Sequence, residues 1–300
     1  MSSVFDRCVF KRKLRACTSF FLTTSTLAIG VGLTANFGLE SAGATSTPTP
    51  KDLSALFKAD QSLIKECMSS KGFKFWKQLN PENSPQIQFP YGIDNLAWAK
   101  ANGFGRELLD KISPNERYVS GLSVSKKNRY YLDLNGPGPR GPGVTVKLPT
   151  GEVLGHSTSG CIAEADGKLF GSYRDWFRVN SQYQDLSYLI VDRVLQNQVF
   201  DTAVLKWSSC MSRDGDSYVS PTQAMQSFLT AAPPTSRALE DSVAENEVVC
   251  GVQVGLFRIA KRLANENRDV VDHQYAMIVR ANNRYDDAAL SRANKILGMS

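Results

Sequence analysis

The spacing of apolar residues predicts a chain dominated by helices. Apolar positions recur every three or four residues over 52–70, 176–194 and 200–213, and again from about residue 235 almost to the end. This period is that of an amphipathic helix with one buried face. The last region carries two apolar stripes, namely Leu239, Val243, Cys250, Val254 and Phe257, then Val271, Tyr275, Ile278, Tyr285, Ala289 and Ile296. The fold class predicted is mainly α, a helical bundle-like domain with long C-terminal helices.

In the remaining segments, prolines and glycines predict loops, and alternating apolar and polar residues predict a hairpin. Residues 80–92 and the run GPGPRGPG at 136–143 are predicted loops, because alternating proline and glycine support neither a helix nor a central strand. The alternation in VTVKLPTGEVLG predicts one small β-hairpin that turns at 149–151. A short helix is predicted over 94–103 with Asp94 as its N-cap, and another over 160–170 with Ser157, Thr158 or Ser159 as its N-cap. Residues 119–134 fit no single pattern.

The N-terminus has the three parts of a secretory signal peptide. A basic region precedes the uncharged apolar run at 20–33, and the segment ends in Ala42-Gly43-Ala44. We therefore predict residues 1–44 as a signal peptide cleaved after Ala44, 45–50 as a linker and 51–300 as the folded domain, with 51–180 and 181–300 as its sub-lobes if it divides. The alternative is a protein anchored in the membrane by this segment, uncleaved, since the apolar stretch nearly reaches the roughly 20 residues that span a bilayer.

Charge and composition change this picture once the signal peptide is set aside. The whole chain has 35 basic and 29 acidic residues, a net charge of +6, and half of that excess lies in residues 1–44. The remaining domain is nearly balanced, and no basic patch is interleaved with aromatic residues, so nucleic acid is not an expected partner. After cleavage no stable membrane insertion is expected. The partner expected is an unknown protein or a cell-envelope ligand.

Four cysteines remain in the domain, and a repeated element relates two of them. Ile64 to Gly72 (IKECMSSKG) matches Trp207 to Gly215 (WSSCMSRDG) in its large apolar residue, cysteine, methionine, serine and glycine. An even number of cysteines in an exported chain indicates two disulfides. Each repeated cysteine is followed by a lone cysteine on a helical apolar face. Of the three connectivities we favour Cys67–Cys161 with Cys210–Cys250.

Three short motifs carry a family resemblance. They are the W-x-x-C-M-x-x-x-G element, the segment from Tyr91 to Gly105 and the segment from Gly160 to Gly171. Together they resemble a group of exported actinobacterial proteins and lipoproteins of unknown function. The resemblance implies a four-cysteine helical fold and no activity. This chain lacks the lipobox cysteine of the lipoprotein members, which favours release over lipid anchoring.

The residues suited to catalysis are few. His156, Ser157 and Ser159 precede a predicted helix and are candidates for a nucleophile and its base, although the G-x-S-x-G frame is broken. Glu164 and Asp166 are candidates for a carboxylate pair, or else acids that favour the first turn of that helix. The glycine pattern at 136–141 contains two prolines and is not followed by a helix, so it does not predict a phosphate site. The chain has only two histidines, His156 and His273, so neither a metal nor a cofactor is expected.

The sequence therefore favours a secreted, non-catalytic helical protein of the cell envelope or extracellular space that acts by binding. The alternative is an extracellular hydrolase acting on cell-wall polymer or peptide, which requires a serine, His156 and an acid to meet in one cleft.

Overall fold

The computed structural model describes residues 48–77, 84–110, 113–138 and 141–299, so the predicted signal peptide lies outside the described residues. Within these ranges the chain is mainly helical, as predicted. Its helices are α1 Pro50–Ser70, α2 Pro85–Gln88, α3 Leu96–Asn102, α4 Arg106–Asp110, α5 Pro114–Ser120, α6 Val124–Asn135, α7 Cys161–Phe170, α8 Tyr173–Leu195, α9 Gln198–Arg213, α10 Pro221–Leu229, α11 Arg237–Val254, α12 Leu256–Gln274 and α13 Ala276–Leu297. No helix in the described ranges is both long enough and apolar enough to cross a bilayer.

The predicted hairpin is confirmed. Strand β1 (Gly143–Lys147) pairs antiparallel with β2 (Val153–Ser157), so that Gly143 lies opposite Ser157. Alternate residues of β1, Val144 and Val146, are buried, which is the period expected when one face of a hairpin packs on the protein.

The repeated element forms the same structure twice. Met68 and Met211 are fully buried, and each carbonyl accepts a hydrogen bond from the residue after the following glycine, Phe73 N–H at 2.9 Å and Asp216 N–H at 3.0 Å. This six-residue closure is the Schellman cap, which needs a left-handed residue before the donor. Gly72 and Gly215 supply it with φ of 81° and 92°.

Both disulfides have the favoured pairing. Cys67–Cys161 joins α1 to α7, and Cys210–Cys250 joins α9 to α11. In each case the first cysteine belongs to the repeated element and the second to the helix packed against it. The pairing prediction is therefore confirmed.

Two apolar cores are built from segments distant in sequence. Core A contains Leu56, Leu63, Met68, Phe75, Tyr130, Leu169, Ala289 and Ala293. Core B contains Phe89, Ile93, Phe104, Trp207, Met211, Phe228, Val243 and Leu256. Residues 89–104 of the first half thus belong to core B, and α13 at the end of the chain belongs to core A. Each core draws residues from both halves of the domain.

Helices α11 and α12 meet in a bend at Gly255. This residue has a φ of 73°, a left-handed conformation that ends α11 and begins α12. One turn earlier, a Cβ at Gly251 would lie 2.2 Å from the ring of Phe257, so glycine permits the two helices to pack closely at the bend. The long helical region predicted from residue 235 is thus three helices, broken at Gly255 and again at Tyr275.

Several local predictions were wrong. The N-cap of α3 is Asn95, whose side chain accepts from Trp98 N–H, and not Asp94. The predicted loop at 80–92 contains the short helix α2. Residues 119–134, for which no structure was predicted, contain the end of α5 and most of α6. Leu239 was placed on the inward stripe, yet its side chain is 49% exposed, because the buried face of α11 passes through Glu240 and Val243 instead.

Candidate functional site

Ser157 and Ser159 hold the loop between β2 and α7. Ser157 is 3% exposed. Its Oγ accepts a hydrogen bond from Ser159 N–H at 3.2 Å and lies 3.1 Å from Ser159 Oγ and 3.4 Å from the carbonyl oxygen of Pro142. These contacts occupy a hydroxyl that was a candidate nucleophile. They also show that neither serine caps α7, whose N-cap is Gly160 with no side-chain hydrogen bond.

Gly160 lies where no side chain fits. Its φ is 97°, and a Cβ would lie 2.4 Å from the backbone nitrogen of Gly136 and 2.9 Å from the carbonyl oxygen of Leu134. At the start of α7, where a serine cap was predicted, the backbone of Gly160 instead packs closely against that of residues 134–136. It also fixes the position of Cys161, the first residue of the helix.

Gly160→Ala is expected to destabilise the protein by about 2 kcal/mol more than Gly171→Ala, because both positions have positive φ but only Gly160 would also clash with backbone. Gly171 has a φ of 94° and no atom within 4 Å of its Cβ position, which makes it a matched control. Urea unfolding of both variants measures the difference. Equal losses of stability would contradict this account of the N-terminus of α7.

His156 binds a tyrosine and not a serine hydroxyl. Its Nδ1 lies 2.6 Å from Tyr173 Oη and 2.8 Å from the carbonyl oxygen of Ser157. The imidazole also packs beside the rings of Tyr173 and Phe177. Among the hydrogen bonds of the described residues, none joins this ring to the hydroxyl of Ser157 or Ser159. His156, Ser157 and Ser159 are close in the sequence. Among the described residues, however, neither serine hydroxyl forms a nucleophile–base pair with the imidazole.

Glu164 and Asp166 point to different sides of α7. Glu164 is exposed, pairs with Lys168 at 2.8 Å and has a carboxylate oxygen 3.5 Å from Cys67 Sγ. Asp166 is buried and lies beyond the first turn, so the interpretation of both as first-turn acids holds for Glu164 alone. The two carboxylates do not face each other across a cleft, as a glycosidase pair would.

The carboxyl that Asp166 meets is that of Asp60 on α1. The two carboxyls interact directly, and two negative charges so close in a poorly solvated site favour a proton on one of them. Burial is the main cause of both shifts: it raises the pKa of Asp60 to about 6 and the pKa of Asp166 well above its usual range, where the nearby Asp60 charge adds to the effect. Gln61 Nε2 donates to Asp60 Oδ2 at 3.3 Å. Both shifts therefore favour a state in which the pair shares one proton.

Tyr173 connects this acid pair to His156. Burial raises the pKa of the Tyr173 phenol above its ordinary value, and the Asp166 charge raises it further. Asp60, Asp166, Tyr173 and His156 thus form a line of polar groups from α1 to the hairpin. None of these four residues lines either of the two concave surfaces described below.

A second buried polar contact joins α8 to α13. Asn282 donates to Asp286 Oδ2 at 2.8 Å, and its own oxygen accepts from Asn180 Nδ2 at 3.3 Å. Asp286 is 6% exposed, and burial followed by the charge of Asp287 raises its pKa to about 6. This polar contact was not predicted, because the sequence suggested a purely apolar stripe on α13.

Two concave surfaces lie beside the α11–α12 bend. The smaller, of about 270 Å³, is lined by Val199, Thr202, Ala203, Lys206, Val254 and Ile259. The larger, of about 640 Å³, is an open basin lined by Asp94, Val252, Phe257, Arg258, Lys261, Arg262, Asn265, Glu266 and Asp269. Neither surface was predicted from the sequence, because residues of α9, α11 and α12 and Asp94 meet there only after folding.

Cys210, Asp214 and Cys250 are close enough to suggest a metal cluster, with ligand atoms within 4.8 Å of one another. The two sulfurs are joined in the disulfide, however, and a disulfide offers no thiolate to a metal. This group is therefore a structural disulfide beside the exposed carboxylate of Asp214.

Comparison of the chain with protein-family models, with curated proteins and with solved structures finds no match.

Proposed function

We propose that this protein is exported and acts outside the cytoplasm by binding a protein or cell-envelope ligand at the α11–α12 bend. The observation that carries the proposal is that two concave surfaces flank this one bend, while elsewhere Ser157 is hydrogen bonded to Ser159 and His156 to Tyr173. Ligand sites are concave, mainly apolar and provided with a few polar groups that fix orientation.

The lining of these surfaces suits binding. Val199, Val254 and Ile259 give the smaller surface apolar walls, and Lys206 adds one cation at its edge. In the larger basin, Val252 is 66% exposed beside the partly buried ring of Phe257. Exposed apolar side chains that lie next to charged groups are typical of surfaces that contact a partner.

Export is proposed from the sequence of residues 1–44 and is supported by the cysteines. All four cysteines of the described residues are paired in disulfides, which persist in oxidising compartments and are rare in the cytosol. The outcome that supports cleavage after Ala44 is a released protein whose N-terminal residue is Thr45.

A photo-crosslinking amino acid at Val252 tests the binding surface in cells that produce the protein. Val124 is the matched control, because it is also a helical valine and is 76% exposed, but lies on α6 beside core A. We expect one discrete crosslinked species from position 252 and none from position 124. Once crosslinking has identified the partner, the Val252→Asp variant is expected to bind that partner at least about tenfold more weakly. This factor corresponds to about 1.4 kcal/mol of binding free energy.

Equal crosslinking at positions 252 and 124 would contradict a specific surface at the bend. A partner captured only from position 124 would place the binding surface on the opposite core. If neither position gives a discrete species while the protein is released in full, the binding proposal for this bend is wrong.

A further inference from the structure

Two glutamates on the buried face of α11 hold residues 91–106, here called the 91–106 segment. Glu240 is 3% exposed, and its Oε1 accepts hydrogen bonds from the backbone N–H of Phe104 at 2.8 Å and of Arg106 at 3.3 Å. Glu247 is fully buried, and its Oε1 accepts from Ile93 N–H at 2.6 Å. Seven residues apart, the two carboxyls lie on the same face of the helix, two turns from each other.

The surroundings of Glu247 are tightly packed and apolar. A Cβ at Gly92 would lie 2.9 Å from Glu247 Oε1 and 2.7 Å from the ring of Pro221, so glycine is needed for the segment to approach this closely. The Trp207 indole donates to the backbone carbonyl oxygen of Glu247 at 3.2 Å. Among the described residues, Glu247 Oε2 is buried with no hydrogen-bond partner.

The charged groups on the neighbouring elements are engaged elsewhere. Lys100 pairs with Glu245, the guanidinium of Arg106 donates to the carbonyls of Phe228 and Ala231, and Asp94 is exposed. The Tyr91 ring packs on Phe200, and burial raises the pKa of its phenol while Arg268 opposes this. Trp207 on α9 and Pro221 on α10 bring no charge. In the described part of the chain, no cation forms an ion pair with Glu247.

An ionised carboxylate without a cation is strongly disfavoured in such a site, whereas the neutral acid is tolerated. Burial raises the pKa of Glu247 to about 8, although the Ile93 N–H opposes the shift. Glu247 is thus protonated when the segment is packed on α11. If the segment moves away and water enters, the carboxyl ionises as an ordinary glutamate does.

We propose that Glu247 is a proton-dependent latch, which holds the 91–106 segment on α11 while it is protonated and releases the segment when it loses its proton. Release exposes Ile93 and Phe104, both fully buried in core B. It also moves Asp94, which lines the larger basin. The latch itself does not depend on the proposed function, but an effect of pH on ligand binding at the bend does.

Hydrogen exchange of the Ile93 amide measures the latch without any partner. Loss of one proton on opening makes the opening constant rise about tenfold per pH unit between the ordinary pKa of 4.5 and about 8, and level off above that. This rise comes on top of the intrinsic increase of amide exchange with pH. In Glu247→Gln we expect only the intrinsic increase, because the amide side chain cannot ionise.

Two controls separate local release from other effects. Glu240→Gln removes the neighbouring carboxyl, whose hydrogen bonds are made to Phe104 and Arg106, and should keep the extra pH dependence at Ile93. The Leu169 amide in core A reports unfolding of the whole domain, which also becomes easier as the pH rises, so its opening free energy should stay above that of Ile93 at every pH. If Glu247→Gln fails to fold, Glu247→Met tests the same loss of the titrating group with an apolar side chain of similar length.

The latch is wrong if the variant without the Glu247 carboxyl keeps the extra rise, or if Ile93 and Leu169 have the same opening free energy in the wild-type protein. Loss of crosslinking at Val252 with an intact exchange profile would instead reject the binding surface and leave the latch standing.

Discussion

Raising the pH from 5 to 8.5 is expected to lower the thermal unfolding midpoint of this protein. Four buried acids have raised pKa values in the folded state: about 8 for Glu247, about 6 for Asp60 and for Asp286, and well above the usual range for Asp166. Burial is the first cause in every case. Each of these groups binds its proton more tightly in the folded than in the unfolded chain.

The direction of the effect follows from proton linkage. Between the ordinary and the raised pKa, the folded state holds more protons than the unfolded state, so the free energy of unfolding falls as the pH rises. For Glu247 the window runs from 4.5 to about 8, and its full width corresponds to about 5 kcal/mol. In a domain of this size that change lowers the midpoint by on the order of 10 °C.

Calorimetry at constant ionic strength over pH 5–8.5 measures this decline. Asp166→Asn should keep a hydrogen bond to Asp60 while removing the shared proton, and so should flatten the part of the curve near pH 6. Glu247→Gln should flatten the upper part. A midpoint that rises steadily from pH 5 to 8.5 in the wild-type protein would show that the buried acids are not held neutral.

Removing either disulfide is the second large effect expected. Cys67–Cys161 closes a loop with a sequence separation of 94, and Cys210–Cys250 closes one of 40. Through the chain entropy of the unfolded state, these loops correspond to about 5 and about 4 kcal/mol. Replacing a pair by alanine also leaves space in a core, since Cys161 and Cys250 are both fully buried.

Denaturant unfolding of C67A/C161A and of C210A/C250A gives the two free energies, and the oxidised wild-type protein is the reference. The variant without the longer loop should lose slightly more stability. Losses below about 1 kcal/mol in both variants would mean that the unfolded chain remains compact without its cross-links.

The sequence predicted what depends on local pattern. The repeated cysteine element favoured, among three connectivities, the disulfide pairing that the structure has, because each copy is followed by one lone cysteine on a helical apolar face. The hairpin was predicted by alternation. The serine cap of α7 was wrong, since Gly160 packs against the backbone of residues 134–136, and that contact cannot be seen in the chain around it.

The buried acids could be predicted only in part. Glu240 and Glu247 are spaced so that both fall on the face of α11 that carries Val243, and a charge in such a stripe is a signal of a buried polar contact. The partner of Asp166 is different. Asp60 lies on another helix more than a hundred residues earlier, and only tertiary packing brings the two carboxyls together.

Each core contains residues distant in sequence, and this determines when each core can form during synthesis of the chain. Synthesis delivers a chain from its N-terminus. Core A receives Ala289 and Ala293 from α13, so this core is not complete until the last helix has been made. Core B requires Leu256 and Leu263 of α12. A nascent chain of this protein therefore keeps part of core A exposed after core B is complete.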